Sequence, residues 1–146
     1  MIRIRFMWIN YYLIKEILCS ISDHRDFNSV VIGYDSDNLD KDSLEEKAEI
    51  LNFHFQTLIN SNCIQLPESN KMYLINTGTI VDDLILKISA CTLTMKGCEL
   101  LSCLTYEGWD EYIKTMRKHG ELNLDTVIEV FREIKKDNAL ASFIKD

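Results

Sequence analysis

The chain has 146 residues, enough for one hydrophobic core, and its 47% hydrophobic and 27% charged residues indicate a globular domain rather than a disordered segment. The formal net charge is −7, and the acidity concentrates between Asp35 and Glu49; this part of the surface should repel phosphate, so any nucleic-acid contact is expected elsewhere. No stretch reaches the roughly 18–20 uninterrupted apolar residues of a membrane span, and the apolar start lacks a cleavage site. We therefore expect a cytoplasmic protein, and leave open whether Met1 or Met7 is its native start.

The cysteines are odd in number, widely spaced and set in apolar sequence. Free cysteine behaves as a small hydrophobic residue, and proteins of reducing compartments tolerate it. We expect all five to be reduced residues of the core: Cys19, Cys63, Cys91, Cys98 and Cys103.

The first half of the chain predicts two helices, one strand and an acidic loop. Apolar residues at three-and-four spacing predict an amphipathic helix over about Ile9–Ser22. The short β-branched run Val30–Ile32 predicts a strand, and the acidic stretch Asp35–Asp42 predicts a loop. A second helix is predicted to start at Ser43, which forms a capping box with Glu46.

The middle of the chain predicts a small antiparallel sheet. The second helix is expected to end at Asn60–Asn62, because asparagine tolerates the left-handed conformation that closes a helix. Extended runs are predicted at Cys63–Leu66, Met72–Ile75 and Leu84–Leu93. Together they predict a sheet with one elaborated hairpin.

The helical period returns at Thr94 and predicts three C-terminal helices. Their apolar residues are, helix by helix, Leu100, Leu101 and Leu104; Trp109, Tyr112, Ile113 and Met116; and Leu124, Val127, Ile128, Phe131 and Ile134. The order of elements describes an α+β fold in a single domain over residues 1–146, with C-terminal helices at about 107–144 packed on it as a cap.

Two segments carry a resemblance to a known family. One is Ile50–Ile59, which Cys63-Ile64 follows, and the other is Leu93–Leu101 with its pattern Leu-Thr-x-x-Gly-x-x-x-Leu. In the second segment Thr94 can cap the new helix, and Gly97 can let its first turn lie close to the strand that it leaves.

On these segments the chain resembles, over about Trp8–Ile134, the bacterial and phage family known as domain of unknown function 2513. The resemblance implies a winged-helix-like fold of helix, short strand, helix and β-hairpin, in a bacterium, prophage or mobile element. It implies no activity, because none is established for the family. The chain departs from the family pattern at Asn62, where glycine is usual, and in a longer hairpin between Leu66 and Leu84.

The sequence offers little for catalysis. The three histidines, His24, His54 and His119, are scattered, and no paired cysteine or histidine spacing indicates a metal site. Cys98, near Lys96, is the least implausible nucleophile, but a packing role is favoured. His54 is expected to be a structural histidine at the edge of the core. We therefore expect no cofactor, no metal and no enzymatic activity.

The remaining alternatives are two kinds of binding protein. A protein-binding accessory or inhibitor module would use the acidic residues Asp35, Asp37, Asp40, Asp42, Glu45, Glu46 and Glu49. A winged-helix DNA-binding transcriptional regulator would use Asn52, Gln56, Lys71 and Lys87. The first is preferred, because phosphate-binding cations are scarce on the predicted recognition helix.

Overall fold

The computed structural model describes residues 9–34, 41–67, 79–117 and 123–144. Within these ranges the elements are mostly helical: α1 Tyr11–Asp23, a 3-10 helix Ser29–Ile32, α2 Lys41–Asn60, β1 Ile64–Gln65, α3 Ile80–Ser89, β2 Thr92–Leu93, α4 Met95–Thr105, α5 Trp109–Arg117 and α6 Leu124–Ile144. The prediction of an α+β winged helix with a β-hairpin wing is therefore wrong. The chain divides into two compact units, residues 1–98 and 99–146. The prediction of a single domain stays a prediction.

Helix α1 confirms the first predicted element. The Asn10 side chain accepts hydrogen bonds from the backbone N–H groups of Tyr12 at 3.0 Å and Leu13 at 3.3 Å, which caps the first turn. His24 ends the helix in the left-handed conformation, with φ of 52°. The predicted apolar face is buried in the core: Leu13, Ile14, Ile17, Leu18 and Ile21.

The predicted strand Val30–Ile32 is a turn of 3-10 helix, which corrects that prediction. The Asn28 side chain accepts a hydrogen bond from Val30 N–H at 3.2 Å and so caps the turn. Gly33 closes it with φ of 68°, a conformation that favours glycine. Local capping thus outweighs the β preference of the branched side chains, and Val30 is 75% exposed.

Helix α2 is one continuous helix, as its apolar periodicity predicts, but it begins at Lys41, two residues before the predicted capping box. Its core residues include Leu51, Phe55 and Leu58. Asn62 adopts the left-handed conformation, with φ of 60°, which confirms the expected end signal.

The largest correction concerns the predicted extended run Leu84–Leu93, which is mostly helix α3. The Thr79 hydroxyl caps α3 by accepting a hydrogen bond from Asp82 N–H at 3.1 Å. Val81, Leu84 and Ile88 then fall on one buried helical face. The predicted run Met72–Ile75 lies outside the described residues, as does most of the predicted hairpin.

Strands β1 and β2 pair antiparallel, with Ile64 opposite Leu93 and Gln65 opposite Thr92. Thr94 follows directly, and its hydroxyl accepts a hydrogen bond from Gly97 N–H at 3.1 Å, which confirms the predicted cap of α4. At Gly97 the first turn of α4 lies close to Cys63, which is next to strand β1. The sequence analysis expected a close approach to the strand that the helix leaves, so that prediction is corrected. A Cβ on Gly97 would lie 1.9 Å from the Cys63 carbonyl oxygen.

In the second unit, α5 and α6 confirm the predicted C-terminal helices. The Asn123 side chain caps α6 by accepting a hydrogen bond from Thr126 N–H at 2.8 Å. The Arg132 guanidinium on α6 donates two hydrogen bonds to the Glu99 carboxylate on α4, and these bonds lower the pKa of the Glu99 carboxyl.

Candidate functional site

The candidate site is an open groove between α2 and α3, which we call the α2–α3 groove. It has a volume of about 470 Å³, within the range typical of ligand sites. Its lining residues are four from each helix, at spacings that place them on one helical face: Glu45, Ala48, Glu49 and Asn52 from α2, and Ile80, Asp83, Leu84 and Lys87 from α3.

Contacts at both ends of α2 and α3 indicate that the two helices run in the same general direction. At their C-terminal ends, α2 leads into β1 and α3 into β2, and these strands pair with each other. At the other end, the Tyr34 hydroxyl donates a hydrogen bond to Asp82 Oδ2 at 3.2 Å, in the first turn of α3. The neighbouring Gly33 lies against α2, with 3.7 Å between Lys47 Cε and the position of a Cβ on the glycine.

This parallel course gives the groove two chemically different ends. The first, which we call the carboxylate end, begins at Glu45 and extends to Glu49 and Asp83 near the middle of the groove. The second, which we call the lysine end, contains Asn52 and Lys87. The outermost positions on each helix are seven apart in residue number, which corresponds to about 10 Å of helix length.

The floor and rim of the groove differ in polarity. Ala48 and Leu84 are buried and form the apolar floor, whereas Glu45, Glu49 and Asn52 are exposed. Ile80 is 59% exposed at the carboxylate end. A ligand at the carboxylate end would therefore meet negative charge and one accessible apolar side chain.

The structure brings together only part of the acidic set predicted from the sequence. Glu45 and Glu49 line the groove, while Glu46 is exposed on α2 but is not among the lining residues. Asp42 occupies the first turn of α2. The predicted residues Asp35, Asp37 and Asp40 lie outside the described residues.

Two of the residues predicted for DNA binding share the groove with the carboxylates. Asn52 and Lys87 line the same groove as the carboxylates, and Gln56 is exposed elsewhere on α2. Lys71 lies outside the described residues. The lining sets one lysine against three carboxylates, which is too little positive charge for the successive phosphates of a duplex.

Sequence reasoning missed the contribution of α3 to the groove. Ile80 and Asp83 were not candidates, because the run that follows them was assigned to a strand. The available signal was Thr79-x-x-Asp82, a variant of the capping box that predicts a helix start.

His54 has the structural role that the sequence analysis expected. The side chain is buried, its Nε2 accepts a hydrogen bond from Asn10 N–H at 2.8 Å, and its Nδ1 donates to the Ile50 carbonyl oxygen at 2.7 Å. Burial lowers the pKa of His54, which favours the neutral ring that both contacts require. His54 thereby joins the start of α1 to α2.

The cysteines depart from the prediction at one position. Cys63, Cys91 and Cys103 are buried, and Cys19 is half-buried, but Cys98 is exposed on α4 and is not a core residue. Burial raises the pKa of Cys91 to about 11 and that of Cys103 to about 12. Both therefore carry neutral thiols, which are poor nucleophiles.

A smaller apolar cavity lies in the second unit, among α4, α5 and α6. Its volume of about 30 Å³ holds little more than a water molecule. The lining includes Trp109, Tyr112 and Phe131. Such a space is a gap in side-chain packing and is too small for a ligand without rearrangement.

Comparison of the chain with protein-family models, curated proteins and solved structures found no match. The resemblance to the domain of unknown function stays a prediction. In the part of the chain that the structure describes, no three histidine, cysteine or acidic side chains are grouped as metal ligands. None of the described helices combines the length and apolarity needed to cross a membrane.

Proposed function

We propose that this protein is a non-catalytic binding module that docks a basic segment of a partner protein in the α2–α3 groove. The observation that supports this proposal most strongly is that Glu45, Glu49 and Asp83 line one groove above a floor of Ala48 and Leu84. Carboxylates at the rim attract lysine and arginine and steer their approach, and the buried floor offers apolar contact to their methylene stems.

The net charge of −7 supports the same type of partner, because it raises the association rate of a cationic protein. Ile80 adds an exposed apolar contact at the carboxylate end. Glu49, Asp83 and Lys87 also interact with other groups of the chain. Surface interactions of this kind are worth only about 0–1 kcal/mol, so a ligand can replace them.

A cytoplasmic setting in a bacterium, prophage or mobile element is part of the proposal. All five cysteines are free thiols, which favours a reducing compartment. The α2–α3 groove gives no support to the alternative of DNA binding, since its lining contains one lysine against three carboxylates and a duplex presents many phosphates.

The test measures binding of a fluorescein-labelled tetra-arginine peptide by fluorescence anisotropy. The groove variant Glu45→Gln, Glu49→Gln, Asp83→Asn should weaken binding at least about tenfold, which corresponds to about 1.4 kcal/mol. Binding to the unmodified protein should also weaken as salt is added, because salt screens exposed charges.

A matched control separates the groove from the general acidity of the protein. The variant Glu46→Gln, Asp110→Asn, Glu111→Gln removes the same charge from exposed positions outside the groove. It should bind the peptide within about twofold of the unmodified protein, since these side chains do not line the groove and solvent and salt screen their charges. Equal weakening by both variants would refute docking in the groove.

A further inference from the structure

The two ends of the α2–α3 groove differ in charge, and this difference restricts the partner further than basicity alone does. The carboxylate end presents Glu45, Glu49 and Asp83. The lysine end presents the Lys87 ammonium group and the Asn52 amide, both of which donate hydrogen bonds to anionic or carbonyl oxygens. A purely cationic segment would satisfy the first end and gain nothing from the hydrogen-bond donors of the second.

We propose that the groove recognises a short dipolar segment, in which a lysine or arginine is followed or preceded, within about three residues, by an acidic residue. The proposal rests on the proposed function and names the chemistry of the partner. The cation contacts the carboxylate end, and the acidic residue contacts Lys87 and Asn52.

The dimensions of the groove match such a segment. The lining residues extend over about 10 Å along each helix. An extended peptide rises about 3.3 Å per residue, so about three residues cover this length. The volume of about 470 Å³ also suits a short segment rather than a whole helix.

The orientation of the two helices is essential to this argument. Because α2 and α3 run in the same direction, Asn52 lies at the same end as Lys87, and Glu45 lies at the same end as Ile80. Antiparallel helices would place Lys87 beside Glu45, and opposite charges would then alternate along the groove. The paired strands argue against that arrangement, because Asn60 and Ser89, the last residues of the two helices, each lie only four residues before the partners Ile64 and Leu93.

Two labelled peptides with blocked termini test the proposal: Arg-Ser-Ser-Glu and Arg-Ser-Ser-Gln. Attraction by net charge alone predicts that the second binds more tightly, because it is more cationic and the protein is acidic. Dipolar recognition predicts the opposite order, with the glutamate peptide bound about threefold or more tightly, the size of one exposed ion pair.

A charge-removing variant at the lysine end provides the internal check. Lys87→Gln should abolish the preference for the glutamate peptide or reverse it. The matched variant Lys114→Gln removes an exposed lysine from α5, outside the groove, and should leave the preference intact. Anisotropy titrations of both peptides against the three proteins give the complete comparison.

The outcomes separate this inference from the proposed function. If the glutamine peptide binds the unmodified protein as tightly as the glutamate peptide, or more tightly, dipolar recognition is refuted, while docking of basic segments stands. A preference that survives Lys87→Gln also refutes it. If neither these peptides nor tetra-arginine binds, both proposals are refuted.

Discussion

Replacement of Gly97 by alanine should destabilise the protein, although helix propensity alone predicts the opposite. Gly97 lies inside α4, where alanine is normally preferred to glycine by about 0.5–1 kcal/mol. The structure reverses this expectation, because a Cβ at this position would lie 1.9 Å from the carbonyl oxygen of Cys63. Backbone atoms approach a Cβ only to about 3.4 Å in ordinary contact, so the helix or the segment at Cys63 must move.

The cost follows from the contacts that such a movement breaks. Thr94 N–H donates a hydrogen bond to the Cys63 carbonyl oxygen at 3.1 Å, and the Thr94 hydroxyl donates to the Asn62 carbonyl oxygen at 2.5 Å. Two such bonds are worth about 1 kcal/mol each, and overpacking adds about 1–3 kcal/mol. After the gain in helix propensity is subtracted, we expect a net loss of about 2–4 kcal/mol in the free energy of unfolding.

Urea unfolding followed by circular dichroism measures this loss. The matched control is Cys98→Ala, in the same turn of α4, whose exposed side chain should change stability by no more than about 0.5 kcal/mol. If Gly97→Ala were as stable as the unmodified protein, or more stable, the close approach of α4 to Cys63 would be refuted.

The remaining predictions concern pH and DNA. As the pH falls below 6.5, stability should fall, because unfolded His54 takes up a proton while burial keeps folded His54 neutral. Urea unfolding on either side of pH 6.5 measures this, and the same slope in His54→Gln would contradict it. Glu16→Gln should cost about 1 kcal/mol at neutral pH, since Glu16 accepts hydrogen bonds from Arg25 and Asn28 N–H. The Arg25 contact lowers the pKa of Glu16 below 4.5, so the stability difference between Glu16→Gln and the unmodified protein should disappear as the pH falls through the lowered pKa. A difference that does not change with pH would refute the Glu16–Arg25 contact. In gel-shift assays we expect no sequence-specific duplex binding tighter than about 10⁻⁷ M at physiological salt, and a competitor-resistant band would contradict this expectation.

The sequence by itself determined those helices whose buried face and ends are specified by residues close together in the chain. The regular three-and-four spacing in α1, α2 and α6 specifies both a helix and its buried face. End signals were equally local, since Asn62 takes the left-handed conformation and Thr94 caps α4, as their residue types predict. Exposure of Glu45, Glu46 and Glu49 also followed from the position of the apolar stripe on α2.

Only the tertiary structure decided that Ile80–Ser89 forms a helix and not a strand. The run Leu84–Leu86 is continuously apolar, and a short run of that kind fits a buried strand and a buried helix equally well. The helix is favoured by contacts that are distant in sequence: Tyr34 bonds to Asp82 in the first turn, and Val81 and Ile88 are buried in the core. The winged-helix prediction failed at this point, because it required an extended strand here.

The candidate site also forms only because residues 80–89 are a helix. The sequence places Glu45 and Glu49 on one face of α2, but Asp83 and Lys87 join them only because α3 is a helix that runs alongside. The parallel course of the two helices is set by the pairing of β1 with β2, between residues about thirty positions apart. Periodicity within one segment determines which side chains share a face, whereas the neighbour of that face depends on packing between segments.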